Sequence, residues 1–184
     1  MIKMWAKISR FYPPWLDVIC VICLGFIWLY TAVRYGLMAD QIPTHFGFSG
    51  TPDAWSSKSF GSVFMLLLIG TIVWMAMFLI NYFLIIKPED PRKYINLPQG
   101  RKDAMSLEEV EALRRITVQG MAIINLTVVL MFVFIQYGMV NSALGLQNGL
   151  GWGVNVLVGI LLIETAWLTW KTFSLSKNAS GARR

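Results

Sequence analysis

His45, the only histidine in the chain, stands in the segment "QIPTHFGFSGTPDAWSSK", with Asp53 and Lys58 following it on the same polar stretch. A histidine beside a carboxylate is the pair that can move a proton near neutral pH, or fix a polar ligand through an oriented ring. A metal centre would need three or four ligands. Only Asp40 joins His45 and Asp53 here, because Cys20 and Cys23 fall inside an apolar run. The sequence therefore predicts no metal site, no cofactor and no catalytic residue. It leaves two readings of the segment. In one, His45 and Asp53 hydrogen-bond the loop's own backbone and hold it in shape. In the other, Pro43, His45, Gly50, Pro52, Asp53, Trp55 and Lys58 form a surface that binds a ligand or partner.

A second set of chemistry-bearing residues lies within the apolar runs themselves. Ionisable groups at such positions are costly and mark functional hypotheses by default. Glu164 is the deepest, about 9 Å from Trp170 along a helix rising 1.5 Å per residue. Asn125, Asn81 and Gln119 fall at comparable depth, and Asp17 sits near the start of the first run. Their placement predicts an intramembrane polar cluster centred on Glu164, with Asn125 as its partner. Interhelical hydrogen bonding is the plain account of it; a protonation-dependent switch or a proton or solute path are the functional ones. Cys20 and Cys23 read as two small buried residues one turn apart on a helix.

The elements that position these residues are set by an unusual composition. Hydrophobic residues make up 56% of the 184 positions, and the mean hydropathy is +0.57. That exceeds the usual share in a soluble domain. No charge occurs at 18–33, 59–86 or 116–163. The last run is divided by "YGMVNSALGLQNGLGWG", whose glycines and amides read as a turn. Four spans of the length a bilayer requires result, about Trp15–Val33, Phe60–Ile86, Gly120–Tyr137 and Trp152–Trp170. The expected fold is an all-α membrane protein with four transmembrane helices.

Lys and Arg resist translocation and so set orientation. Of the sixteen, all but Arg34 and Lys58 lie in the N-terminal tail, the middle loop or the C-terminal tail. The expected threading is N-in/C-in, a multi-pass protein of the bacterial cytoplasmic (inner) membrane with the His45 segment outside. The net charge of +6 then belongs to contacts with the lipid bilayer rather than to nucleic acid.

Local signals refine this frame. Ile42, Thr44, Phe46 and Phe48 alternate with Pro43, His45 and Gly47, the period of a strand with a greasy face and His45 opposite. Gly50 marks a turn, and "TPDAW" resembles a helix start, with Thr51 as N-cap, Pro52 at the first helical position and Asp53 near the positive dipole end. The outer cap is therefore predicted as an extended segment, a turn and a short helix. Lys58 reads as a snorkelling anchor or a ligand contact. On the inner side, Ser106 and Glu109 form an S-x-x-E capping box, predicting a helix that runs unbroken into the third span. Trp5, Phe11, Tyr12 and Trp15 suit a headgroup-level anchor, and Ile95 and Leu97 suit an interfacial extended segment.

The outer "IPTHFGFSGTPDAWSSKS" resembles the I-P-x-H-F/W, G-x-P-D, K pattern of a family of bacterial membrane proteins, the DUF1648 domain of unknown function. The inner "YINLP" is similar to that family's N-I/L-P signature. The resemblance covers roughly residues 15–100. The family domain also occurs in SdpI-type immunity proteins, which protect a cell from its own secreted peptide toxin and hold a repressor at the membrane. The resemblance implies the membrane topology, with a sensor or immunity-like role in SdpI-type members and no assigned role in many others.

Three segments follow: a basic, aromatic tail at 1–14, the family-like domain at 15–100, and a second helical hairpin at 101–184. The expected function is a non-enzymatic membrane protein, sensor, immunity-like or accessory, engaging an external peptide or a partner membrane protein through its outer loop, with oligomerisation open. A small transporter or channel working through Glu164, and a structural subunit of a membrane complex, are the alternatives.

Overall fold

The computed structural model describes residues 2–94, 102–103 and 105–181. In chain order the elements are α1 (Ile2–Ile8), α2 (Trp15–Arg34) with a 3-10 turn at Tyr35–Leu37, β1 (Gln41–Phe46), β2 (Pro52–Ser57), α3 (Phe60–Ile80) continued as a π-helical segment at Asn81–Ile86, a 3-10 turn at Pro91–Tyr94, α4 (Leu107–Ala143) and α5 (Gly153–Gly181). Four helices are long and apolar enough to cross a membrane, at Trp15–Leu37, Phe60–Ile86, Leu107–Ala143 and Gly153–Lys177. Helix α5 exposes Leu162, Ile163, Trp167, Trp170 and Phe173. A soluble protein rarely leaves so large an apolar surface in water; hydrocarbon makes it costless.

The helix starts follow local chemistry. Pro13 and Pro14 precede α2, where their missing N–H groups are no loss. The S-x-x-E box at α4 is formed in both directions. Glu109 Oε2 accepts from the Ser106 N–H at 2.7 Å, and Ser106 Oγ from the Glu109 N–H at 3.2 Å. As expected, α4 then runs without a break. It runs further than expected, to Ala143, so the connection to α5 is only 144–152. Asn141, read as a turn amide, is satisfied inside the helix: its Nδ2 donates to the Tyr137 carbonyl at 3.0 Å and its Oδ1 accepts from Tyr30 Oη at 2.7 Å.

The largest departure is at residues 51–57, where the expected helix start is a strand. β2 pairs antiparallel with β1 in the register Gln41↔Ser57, Ile42↔Ser56, Pro43↔Trp55, His45↔Ala54 and Phe46↔Pro52. The turn is closed by the Gly50 N–H on the Gly47 carbonyl at 2.8 Å and the Gly47 N–H on the Thr51 carbonyl at 2.9 Å. Pro52 opens β2, a position where a strand tolerates proline. Asp53 spends its carboxylate across the sheet on His45 rather than on a helix dipole. The N-cap that Thr51 was expected to supply is instead Ser59, which exchanges bonds with Ser62: Ser59 N–H to Ser62 Oγ at 2.9 Å and Ser62 N–H to Ser59 Oγ at 3.0 Å.

Irregularities between Pro43 and His45, and between His45 and Phe46, also break the expected alternation. An extra residue in one strand re-aims those around it. Ile42 and Phe46 pack on the core, but Thr44 and Phe48 are exposed while Pro43 is buried.

The described chain forms two compact units. The first, Asp17–Met75 with Leu126–Leu161, holds the hairpin. Its core joins Ile27, Ile42, Val63, Leu67 and Val140, and a smaller cluster joins Cys20, Leu24 and Val129. Side-chain bonds tie its helices laterally: Trp28 Nε1 to Thr71 Oγ1 at 3.0 Å, Tyr30 to Asn141 as above, and the fully buried Gln136, whose Nε2 donates to the Val63 carbonyl at 3.0 Å and to Thr31 Oγ1 at 3.3 Å.

The second unit takes 2–16, 76–125 and 162–181 of the described residues. Ile8 and Tyr12 are buried there against Ile86, Val118 and Ala122. The aromatic tail expected to sit in lipid headgroups is thus partly protein core. Val110 and Leu113 pack with Met105 and Leu175.

Candidate functional site

The hairpin is fastened at both ends within its own unit. At its base, Lys58 Nζ donates to the Met38 carbonyl at 2.7 Å and lies 5.8 Å from the centre of the Tyr35 ring. The Ala39 N–H donates to the Ala143 carbonyl at 3.1 Å, joining the approach to β1 with the end of α4. At the tip, the Leu150 N–H donates to the Gly50 carbonyl at 2.8 Å, and Asn155 Nδ2 to the Phe48 carbonyl at 3.3 Å. The glycine-rich connection between α4 and α5, read from sequence as a plain turn, is the seat on which the hairpin rests. Gly149 and Gly50 let the two backbones approach this closely: a Cβ on Gly149 would collide with the Gly50 carbonyl, and one on Gly50 would stand 3.3 Å from the Gly151 carbonyl oxygen.

Held this way, the hairpin overhangs an open groove of about 790 Å³. Its rim is β1 and the turn, continuous from Pro43 to Phe48 and including His45. Its floor is apolar: Met65, Leu66 and Ile69 from α3, Ile135 and Met139 from α4, and Val154 from α5. Ser56, Ser62 and Asn155 add polar atoms at the edge. A mostly apolar concavity with a few fixed polar groups is the usual form of a ligand site.

Among the described residues, His45 is the one titratable side chain lining it. Its Nδ1 lies 2.5 Å from Asp53 Oδ1, both side chains being exposed. The pairing of Nδ1 with the carboxylate fixes the ring's orientation, the arrangement that aims a histidine toward a ligand.

Of the residues singled out in the sequence, Pro43, His45 and Gly50 line the groove. Asp53 acts on it through His45. Pro52 and Trp55 face their partners in the sheet register, opposite Phe46 and Pro43, and Lys58 anchors the hairpin's base. The floor residues were not singled out, because in the sequence they are indistinguishable from other lipid-compatible positions.

The intramembrane polar residues divide differently. Asp17 is buried in the hairpin unit, while Asn81, Gln119, Asn125 and Glu164 belong to the other. There Asn81 Nδ2 donates to the Val118 carbonyl at 3.2 Å and Gln119 Nε2 to the Phe11 carbonyl at 2.8 Å. Asn125 is buried and Glu164 half-buried. The sequence reading overlooked Gln136 and Thr31, polar residues that bond across helices in the hairpin unit.

Four apolar helices, one connection folded as a hairpin and a groove beneath it define the class: a multi-pass membrane protein. Within it, residues 21–71 match the family model described as Domain of unknown function (DUF1648). The match is shorter than the 15–100 expected. It takes in most of α2, the whole hairpin and the first half of α3, so it supplies the groove's lining from Pro43 to Ile69. "YINLP" lies outside it, and Ile95 and Leu97 lie outside the described residues. Comparison with curated proteins and with solved structures gives no match.

Proposed function

We propose that the protein is a non-catalytic component of a bacterial cytoplasmic membrane that engages an amphipathic peptide, free or part of a partner protein, in the groove under its outward hairpin. The observation that carries this reading is the groove itself, with an apolar floor drawn from three helices and a rim made of strand backbone and His45. A peptide suits both parts. Its apolar side chains fill the floor, and its main chain pairs with the edge of β1 that β2 leaves open, the way an extended peptide adds to a sheet. The lining offers contact chemistry, with a single titratable group among apolar side chains, hydroxyls and an amide. That favours a sensor, immunity-like or accessory role over bond-breaking. The resemblance to a family whose domain also occurs in SdpI-type immunity proteins makes a secreted peptide the first ligand class to try. Inward retention of the tails and the middle loop, where nearly all Lys and Arg reside, directs the hairpin outward.

A photo-crosslinking amino acid placed at Ile69, on the groove floor, and separately at Ile72, an exposed α3 residue that does not line the groove, tests this in living cells. The expected result is a peptide or protein adduct at Ile69 but not at Ile72, lost in His45→Ala at unchanged membrane abundance. Equal adducts at both positions, or lipid adducts alone at Ile69, overturn the proposal. Abundance falling together with the adduct assigns His45 to folding instead.

A further inference from the structure

The second unit contains a basic cavity that the groove reading does not use. It has a volume of about 560 Å³ and lies among α1, the π-helical end of α3 and the first turns of α4. Lys7, Arg10, Lys87, Arg114 and Arg115 line it, over an apolar patch made by Phe11 and Ile86.

Arg114 forms its fixed wall. This guanidinium is 7% exposed. Its Nε donates to the Ile85 carbonyl at 2.7 Å, and its Nη2 to the carbonyls of Ile86 at 2.6 Å and Pro88 at 2.9 Å. It also stands 5.1 Å from the centre of the Phe11 ring. Helix ends leave carbonyls without partners, and Arg114 satisfies those at the end of the second span. Glu111 Oε1, 3.2 Å from Nη1, offsets its charge.

With that pair cancelled, four bases remain against Glu89 and Glu108, an excess of two positive charges. Lys7, Arg10, Lys87 and Arg115 make no ion pair among the described residues. Lys87 Nζ rests 5.0 Å from the centre of the Phe83 ring. Cations gathered without carboxylate partners around a preformed cavity form an anion site, and arginine and lysine together favour phosphate. The apolar patch beside them suits the glycerol and first methylenes of a lipid. The position, at the end of a spanning helix, is the depth at which headgroups lie, and basic pockets between such helices hold anionic headgroups.

We propose that this cavity binds the phosphate of an anionic phospholipid. Lys7, Arg10, Lys87 and Arg115 supply the charge, and Arg114 shapes the wall on which the headgroup rests.

The full chain is purified in mild detergent, and lipid retention is read by native mass spectrometry during titration with phosphatidylglycerol or phosphatidylcholine. A parallel arm offers phosphatidylglycerol, glycerol 3-phosphate or inorganic phosphate and reads thermal stabilisation by each. Expected is preferential retention of phosphatidylglycerol, weakened roughly thirtyfold in Arg10→Gln/Lys87→Gln. The control Lys3→Gln/Lys171→Gln, which removes the same charge elsewhere, keeps it. The double variant's melting temperature in mixed micelles of detergent and phosphatidylcholine, unchanged from the parent, shows that it is folded. Stabilisation by glycerol 3-phosphate or inorganic phosphate equal to that by the lipid reassigns the site to a free phosphate compound and overturns the lipid assignment. Equal retention of both lipids, or equal loss in the control, overturns the anion site altogether.

Discussion

Gly149→Ala separates the docking of the hairpin from ordinary loop strain. Gly149 has φ of 96° and Gly145, four residues earlier in the same connection, φ of 69°. An alanine at either position enters a backbone region that costs about 1–2 kcal/mol. At Gly145 nothing stands within 4 Å of the new Cβ, so that is the whole cost. At Gly149 the Cβ collides with the Gly50 carbonyl and comes within 3.2 Å of Thr51 Cα. Both obstacles are backbone and cannot rotate away. The hairpin tip must lift, and the Leu150–Gly50 bond is lost, adding about 0.5–1.5 kcal/mol. Gly149→Ala is therefore expected to cost about 1 kcal/mol more than Gly145→Ala, or about 2–4 °C in melting temperature for a chain of this size. Thermal unfolding of both variants in the same detergent measures the difference. The same samples, probed with protease, should show cleavage at 47–51 only in Gly149→Ala. Equal melting temperatures and equal protease resistance would refute the docking of hairpin on connection.

Two further outcomes follow from the buried polar groups. Arg114→Lys should destabilise the protein by about 2–3 kcal/mol, because an ammonium cannot reach three carbonyls that a planar fork reaches together; hydrogen exchange at 81–87 should rise well above that of the parent, and unchanged exchange would contradict the capping role. Gln136→Leu should cost about 1 kcal/mol, and its double-mutant cycle with Thr31→Val should return a coupling of about 0.6 kcal/mol, the usual size for a hydrogen bond between membrane helices; a coupling of zero would leave their contact without energetic weight.

The parts of the fold that the sequence discloses are those written in long or local signals. Charge-free runs mark the four spans because hydrocarbon tolerates little else, and Ser106 with Glu109 marks a helix start because both bonds of the box are local. Thr51–Pro52–Asp53 shows where local signals stop sufficing. Those residue types suit a helix start and a strand following a turn equally, and the tie is broken by β1, by the Gly47–Gly50 turn and by the seat on 149–151. Ser59, with only another serine three residues on, is a fainter N-cap signal that prevailed. Thr44 fell outside the expected alternation because an irregular register cannot be read from spacing alone. The groove was half legible: His45, Asp53 and the glycines stand out against an apolar chain, but Ile69 and Met139 look like any other spanning residue. The basic cavity was illegible for the opposite reason. Lys7, Lys87 and Arg115 each have an ordinary explanation as a flanking cation, and only their convergence distinguishes them.

The proposed threading, with the hairpin and its groove outward, is tested most directly by thiol labelling. With Cys20 and Cys23 replaced by alanine, a single cysteine is placed at Ser49 in the hairpin turn or at Glu108 in the first turn of α4, both exposed. In right-side-out membrane vesicles, a membrane-impermeant maleimide should modify the Ser49→Cys protein at once and the Glu108→Cys protein only after detergent is added. Immediate labelling at Glu108→Cys, with Ser49→Cys protected until the membrane is dissolved, would contradict the account.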